Sequence, residues 1–533
     1  MKILTAAQMQ RVDRLTSERY GVPSLTLMEN AGVGVVEFLE RRFAPLEQHR
    51  IAILCGRGNN GGDGLVVARL LRGKGLKPRV LLLADPQAVK GDAAVNLERL
   101  ATTAVPEVAE DSAAWQRLKP SLAGTTLLID ALLGTGLTKP LEGFLLEVVR
   151  DVNSAFPEAR VVAVDLPTGI SADTGELIGE SVRAEASVTF TAPKVAHVLP
   201  PACLRVGEWR LKEIGTPAEA LENDPDHRLN LMCREDLSWL AAPRAPESHK
   251  GNFGHVLILA GSVGKTGAAA LAAKAALRAG AGLVTIATAR SALSVVASLG
   301  MEFMTEPLPE TEAGTISLAA LDYDRLDKLV AGKNVLAVGP GVSAVPETAE
   351  LVRTVVNKYD LPIVLDADGL NAFAGRMREF RAAPRVRIFT PHPGEMARLT
   401  ERKTAEVLGE RLRVAREFAA QYGVILVLKG FRTLTADPGG EVWVNPTGNP
   451  GMATGGTGDV LTGLIAGLLA QYPQRPASEV AAAAVYLHGR AGDLAAAERG
   501  EVSMIAGDLL EALPRAFRSL AEGEASQVKE WRI

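Results

Sequence analysis

Ile51-Ala52-Ile53-Leu54-Cys55-Gly56-Arg57-Gly58-Asn59-Asn60-Gly61-Gly62-Asp63-Gly64, with the helix-forming segment 65–72 directly behind it, is the stretch on which the fold turns. Five apolar residues running into glycines and then a helix is how a strand ends in a doubly wound parallel sheet. Backbone N–H groups in such a turn approach a phosphate closely, and the helix N-terminus adds a partial positive charge. A strand-to-helix turn uses glycine for positive φ, but it has no use for Asn59, Asn60 and Asp63. These interleaved polar side chains point to a binding site.

Outward from this stretch, Thr5 and Gln8 have capping-box spacing ahead of a helical pattern, and a second helix is expected over 24–43. Further apolar runs follow at 80–83, 127–133 and 161–164, separated by helix-length segments, and the first unit closes around 206–214. The segment 216–249 is rich in Pro, Asp, Glu and Ala without a strong strand signal, as expected of a connection. Beyond it the rhythm restarts, with strands at 256–260, 283–287, 335–338, 363–365, 386–389 and 425–428, then a hairpin around Pro438-Gly439-Gly440. The expected domains are 1–220 and 230–533, with no internal duplication because the halves differ in motifs and length.

A chain of 533 residues is too long for one core. Its 58 basic and 62 acidic residues create no global field toward nucleic acid or an anionic membrane. Cys55, Cys203 and Cys233 are widely spaced and form no CxxC pair, which excludes a disulfide framework and a zinc site and fits a reducing cytosol. The first residues lack the apolar stretch of a signal peptide, and no uncharged run suffices for a bilayer. The expectation is a soluble cytoplasmic protein, a homo-oligomer built through exposed helices, without nucleic acid or membrane as partner.

Two aspartates end later strands: Asp130 in Leu128-Ile129-Asp130-Ala131-Leu132-Leu133-Gly134-Thr135-Gly136-Leu137, and Asp165 in Val164-Asp165-Leu166-Pro167-Thr168-Gly169. Carboxyl ends of parallel strands line one crevice, so Asn60, Asp130 and Asp165 are expected to converge. Either aspartate taken alone reads more often as a loop cap.

Near the C-terminus stands Asn449-Pro450-Gly451-Met452-Ala453-Thr454-Gly455-Gly456-Thr457-Gly458-Asp459, leading into a helix over 460–470. Consecutive N–H groups there form a nest for a phosphoryl group, and Asp459 on the first turn is placed to take a proton from a hydroxyl. Gly261-Ser262-Val263-Gly264-Lys265-Thr266 is not a phosphate loop of the Walker type, because Leu259 stands where that motif needs its first glycine. Close packing of the small-residue helix behind it is the simpler account.

The set GRGNNGGDG, DALLGTGL and DLPTG, preceded by Ser24 to Gly32, resembles the NAD(P)H-hydrate epimerase family over residues 1–215. The resemblance implies a Rossmann-like doubly wound sheet. It further implies that Asn59, Asn60, Gly61, Gly62, Asp63, Gly134, Thr135, Gly136, Leu137, Thr138, Lys139 and Pro140 contact the hydrated cofactor, with Asp165 as acid/base residue. K+ is implied near Asn60, Asp130 and Thr168, oxygen ligands that suit a hard cation. Many relatives carry serine at the position of Thr168, and whether its side chain or its backbone binds stays open. Lys139 has two readings, a phosphate partner or an exposed lysine at a helix start.

His249-Lys250-Gly251-Asn252-Phe253-Gly254-His255, Val338-Gly339-Pro340-Gly341, Asp366-Ala367-Asp368-Gly369, Thr390-Pro391-His392-Pro393-Gly394-Glu395, Leu428-Lys429-Gly430 and the GGTGD segment together resemble the NAD(P)H-hydrate dehydratase branch of the ribokinase-like superfamily over 245–515. The resemblance implies a ribokinase-like α/β domain in which Lys429, Gly430, Phe431, Arg432, Thr433 and Gly458 bind ADP or ATP with Mg2+. It implies that Ala268, Gly341, His392 and Asp459 contact the hydrate, with Asp459 as catalytic base. Asp366 and Asp368 either order phosphate or metal or satisfy loop amides.

Together these resemblances imply a bifunctional enzyme, an epimerase (isomerase) joined to an ADP-dependent dehydratase (lyase), that repairs hydrated NADH and NADPH. Two rivals stand beside it. A ribokinase-like kinase of a small hydroxylated metabolite would use the same GTGD machinery and release a stable phosphate ester. Alternatively, the N-terminal half is a non-catalytic nucleotide-binding module.

Overall fold

The computed structural model describes residues 1–381, 385–521 and 530–531. The described residues divide into two compact units, one holding 1–227 together with the late strand Glu530–Trp531, the other running from 228 to 521.

The first unit is built on seven strands: β1 (Ile51–Cys55), β2 (Arg79–Leu82), β3 (Glu107–Val108), β4 (Leu127–Ala131), β5 (Arg160–Val164), β6 (Ala186–Phe190) and β7 (Glu208–Lys212). They run parallel in the order β7-β6-β5-β4-β1-β2-β3, and Glu530–Trp531 pairs antiparallel with β7. From β1 the chain winds outward through β2 and β3, then returns to start β4 on the other side of β1. The strand order reverses there, and the crevice at such a switch point is where open α/β sheets bind ligands. Strands β1 and β4 are buried along their whole length, as sheets covered on both faces require.

The glycine-rich segment differs from its sequence reading. The helix Asn59–Gly73 begins at Asn59, so Gly61, Gly62 and Gly64 lie within its first turns and are buried there, with no positive φ. Their role is close approach. A methyl group added at Gly61 would sit 1.8 Å from the Gly56 carbonyl oxygen, so only a residue without Cβ lets the helix start this close to the end of β1.

The second unit contains β8 (Leu229–Leu231), β9 (His255–Leu259), β10 (Leu283–Ala289), β11 (Met304–Leu308), β12 (Val335–Val338), β13 (Ile363–Leu365), β14 (Arg387–Phe389), β15 (Ile425–Leu428), β16 (Leu434–Ala436) and β17 (Val442–Val444). The order is β11-β10-β9-β12-β13-β14-β15-β16-β17-β8, with the pairs β15–β16 and β16–β17 antiparallel and the rest parallel. Here the switch point falls between β9 and β12. The antiparallel pair β16–β17 is the hairpin expected around Pro438-Gly439-Gly440.

The expected connection 216–249 is more structured than its composition suggests. It holds the short helix Ala218–Glu222, strand β8 and a 3-10 helix at Arg234–Ala241. Strand β8 has only three residues and is completed by pairing with β17, a non-local contact that no local pattern announces.

Small residues draw the central helices of this unit together. The helix Thr266–Arg278 presents Ala269, Ala272, Ala273 and Ala276 to the helix Thr457–Gln471, all within one core. A methyl added at Gly463 would lie 1.9 Å from the Ala272 carbonyl oxygen. That contact fixes the start of Thr457–Gln471 at the mouth of the sheet.

Candidate active sites

In the first unit, Asn60 stands in the first turn after β1, Asp130 in β4 and Asp165 just beyond β5, all at the crevice. Both polar atoms of the Asn60 carboxamide are buried and have no hydrogen-bond partner among the described residues. Buried amides are nearly always satisfied, so this one marks a place prepared for a ligand. A methyl on Gly134 would lie 3.3 Å from Asn60 Oδ1 and 3.4 Å from Asp165 Oδ2, so Asn60 and Asp165 converge across Gly134.

Asp130 and Thr168, both fully buried, form one hydrogen-bonded unit. The Thr168 amide donates to Asp130 Oδ2 at 2.8 Å and its hydroxyl to Oδ1 at 2.7 Å, while the Leu133 amide donates to the hydroxyl at 3.1 Å. Burial pushes the Asp130 carboxyl up to about 6, against the hydrogen bonds from Thr168 and Leu132. The segment from Gly134 through Thr135, Gly136, Leu137, Thr138, Lys139 and Pro140 forms a partly open loop beside them. Lys139 is exposed there, and the next helix begins only at Gly143, so it is not a helix-start lysine.

The sequence reading missed the groups that surround Asp165. Lys194, buried to 1% exposure, places its ammonium 2.6 Å from Asp165 Oδ1, and the Thr189 hydroxyl donates to the same oxygen at 2.9 Å. Burial alone would raise the Asp165 carboxyl; Lys194 and these hydrogen bonds outweigh it and hold the group below the usual carboxylate range. Asp63 goes the other way: burial, then the charges of Asp165 and Asp13, push it well above normal. Asp13, from the helix Ala6–Glu18, is pushed up to about 6 by burial and Asp165, against the opposing charge of Lys194. His197 is held neutral by burial and by Lys194, down to about 4. Carboxyls whose surroundings push them in opposite directions within one site are the arrangement that acid/base chemistry uses.

In the second unit, Gly456 with φ 92° caps the helix Thr457–Gln471, and Asp459 sits on its first turn as expected. The first amides of a helix have no carbonyl four residues back, so they face outward as donors. Gly458 borders a charged cluster: a methyl there would lie 3.3 Å from Lys429 Nζ and 3.6 Å from Asp366 Oδ2. Asp366, at the end of β13, accepts from Lys429 Nζ at 2.7 Å and from the Thr462 hydroxyl at 2.7 Å. Burial would lower the Lys429 ammonium, but Asp366 and Glu395 hold it above its ordinary value. Asp459 is pushed up to about 7 by burial and by Asp366, with Lys429 opposing. Asp368 accepts from Lys265 at 2.9 Å and from the Ser343 amide at 3.0 Å, which makes it a loop fastener.

Gly341, with φ 64°, lets Ala268 approach: a methyl there would meet Ala268 Cβ at 3.2 Å. His392 caps the helix Pro393–Thr400, its Nδ1 accepting from the Gly394 and Glu395 amides at 3.0 and 3.3 Å, and its ring remains half exposed. The loop Lys429, Gly430, Phe431, Arg432 and Thr433 is tied from beneath by Arg411, whose guanidinium donates to the carbonyls of Phe431 at 2.5 Å and Arg432 at 3.2 Å. Arg411 and Lys194 share one disguise: each is a charged residue outside any glycine motif, brought to its site by tertiary packing alone.

Fold and sites together define a two-part α/β enzyme with a nucleotide-type crevice in each part. Residues 24–196 match the family described as YjeF-related protein N-terminus, and 256–515 match NAD(P)H-hydrate dehydratase. The bifunctional NAD(P)H-hydrate repair enzyme of Moorella thermoacetica is 45% identical over 530 residues, 98% of either chain. The enzyme of the same name from Thermofilum pendens is 37% identical over 536 residues, 100% of this chain and 99% of its own. A crystal structure of the ADP/ATP-dependent NAD(P)H-hydrate dehydratase of Bacillus subtilis, co-crystallised with ATP/Mg2+, is 33% identical with TM-score 0.47, covering 55% of this chain and 98% of its own. The chain belongs to the bifunctional NAD(P)H-hydrate repair enzyme family.

Proposed function

We propose that this protein returns hydrated NADH and NADPH to their working forms. The first unit interconverts the R and S hydrates, and the second dehydrates the S hydrate with an adenine nucleotide, ADP in preference, giving NAD(P)H, AMP and phosphate. The observation that carries this reading is Asp459, a carboxyl poised near neutrality on the first turn of a glycine-opened helix, beside Lys429.

Dehydration meets one obstacle, since hydroxide departs poorly. Phosphorylating the hydroxyl replaces it with a better leaving group; the ring nitrogen's electron pair then expels phosphate, and loss of a proton from the neighbouring ring carbon restores the double bond. Asp459 takes the hydroxyl proton, the amides of 456–458 receive the transferring phosphoryl group, and Lys429 offsets developing charge. The loop 429–433 and Gly458 hold the nucleotide, while Ala268, Gly341 and His392 contact the hydrate. Mg2+ commonly binds through substrate phosphates and one or two carboxylates; held mainly by the nucleotide, with Asp366 and Glu395 beside Lys429 as the nearby carboxylates, it would neutralise phosphate charge.

Epimerisation inverts the same hydroxyl-bearing carbon. The C–O bond breaks as the ring nitrogen forms a double bond to that carbon and the hydroxyl leaves as water with a proton from the neutral Asp63 carboxyl; water returning to the opposite face gives its proton to Asp165, which passes it back to Asp63. Asn59 to Asp63 with 134–140 hold the cofactor. The unpartnered Asn60 carboxamide with Asp130 and Thr168 fits K+, which would add fixed positive charge for the cofactor's phosphates. The protein is read as a cytoplasmic homo-oligomer, and light scattering on the purified chain tests its assembly. No helix among the described residues is long and apolar enough to cross a membrane.

The test incubates purified protein with mixed hydrate epimers and ADP or ATP, following cofactor absorbance and nucleotide products. Asp459→Asn is expected to abolish recovery while nucleotide binding persists. Near-normal turnover in that variant, or accumulation of a stable phosphate ester in the wild type, rejects the reading.

A further inference from the structure

Lys194 takes no part in the chemistry above, yet every proton of its ammonium is committed within the first site. It donates to Asp165 Oδ1 at 2.6 Å, to the Thr189 hydroxyl at 3.0 Å and to the Phe190 carbonyl at 3.2 Å. An ammonium has three donors, and all three are satisfied. Thr189 passes its own proton to the same Asp165 oxygen at 2.9 Å. Oδ1 is therefore doubly fastened, and the carboxylate cannot rotate without breaking two charge-assisted hydrogen bonds, one of them also an ion pair. Oδ2 remains on the side of Gly134 and Asn60, facing the crevice.

A second hold acts on the main chain. Asp165 has φ 63°, a left-handed conformation unusual for aspartate. Its carbonyl oxygen lies 2.9 Å from His197 Nε2, and His197 Nδ1 accepts from the Lys194 amide at 3.0 Å. Since Nδ1 accepts, Nε2 carries the proton of the neutral ring and donates to Asp165. One short segment, 194–197, thus clamps Asp165 by side chain and backbone together.

We propose that Lys194 is the positioning residue of the epimerase site, fixing Asp165 so that Oδ2 alone is presented to the hydroxyl-bearing carbon, with Thr189 and His197 completing the clamp. The assignment rests on the epimerase reading of this unit.

The experiment uses the full-length protein and measures epimerisation of purified R hydrate by chromatography, with dehydration of purified S hydrate in the same preparation as a folding and activity control. Lys194→Met is expected to lower kcat for epimerisation on the order of 10²-fold, the loss typical of a misplaced reacting group, with KM nearly unchanged. Lys194→Arg, which keeps the charge, restores part of kcat. Thr189→Val and His197→Gln each lower kcat by a smaller factor at unchanged KM. Wild-type kcat in Lys194→Met, or a defect confined to KM, overturns the proposal. Should Lys194→Met fail to fold, unchanged kcat in both Thr189→Val and His197→Gln overturns it instead. A wild-type protein that leaves R hydrate unconverted refutes the epimerase reading itself and the positioning role with it.

Discussion

Asp165 and Asp459 both stand at the mouth of a parallel sheet, yet their surroundings push them apart. Lys194 holds Asp165 ionised, whereas burial and Asp366 lift Asp459 to about 7. A base must be ionised to act, so dehydration should slow as pH falls through about 7, approaching tenfold per pH unit, while epimerisation persists to lower pH. Separate pH profiles of the two half-reactions check this; coincident acid limbs contradict it. Arg411 supports a second expectation. Arg411→Leu strips hydrogen bonds from the carbonyls of Phe431 and Arg432, and the buried Arg432 carbonyl left unpaired costs about 1–3 kcal/mol. The thermal midpoint should fall and the nucleotide KM rise, with epimerisation unaffected. Of the groups in these sites, Asn60 and Asp165 were legible because glycines flag the ends of their strands, and Asp459 because glycines open its helix. Lys194 and Arg411 were not, since a lysine after a proline and an arginine in a helix look like ordinary surface residues until the fold buries them.

The elements themselves were mostly readable where strands are buried on both faces, because β1, β12 and β15 are continuous apolar runs and β4 departs from one only at Asp130. Strand β6, Ala-Ser-Val-Thr-Phe, and the edge strand β11, which carries Pro307, lack that signal and went unread. The start of Asn59–Gly73 was misread for an instructive reason: glycines permit both a tight turn and a tightly packed helix, and only the neighbouring carbonyl of Gly56 discriminates. The same ambiguity yields a test. Gly463→Ala forces a methyl against the Ala272 carbonyl and should destabilise the second unit by about 1–3 kcal/mol. Gly409→Ala, where nothing lies within 4 Å, should be neutral or slightly stabilising. Denaturant titrations of the two variants check the contrast.

At the scale of the molecule, the two activities need each other only through a shared substrate. With mixed epimers and nucleotide, Asp165→Asn should recover cofactor until the initial S hydrate is spent and then stall, and adding a trace of wild-type protein should restart it. Continued recovery to completion would show that the first unit's carboxylate is dispensable. Strand β8 carries a different consequence. It precedes the rest of its sheet in the chain, and its Asn230 bonds to Glu441, 211 residues further on. On the ribosome, β8 emerges soon after β7 but stays unpaired until β17 has been made. The second unit therefore cannot close its sheet during most of its own synthesis, and slow, high-contact-order folding of that half should dominate the refolding kinetics of the whole chain.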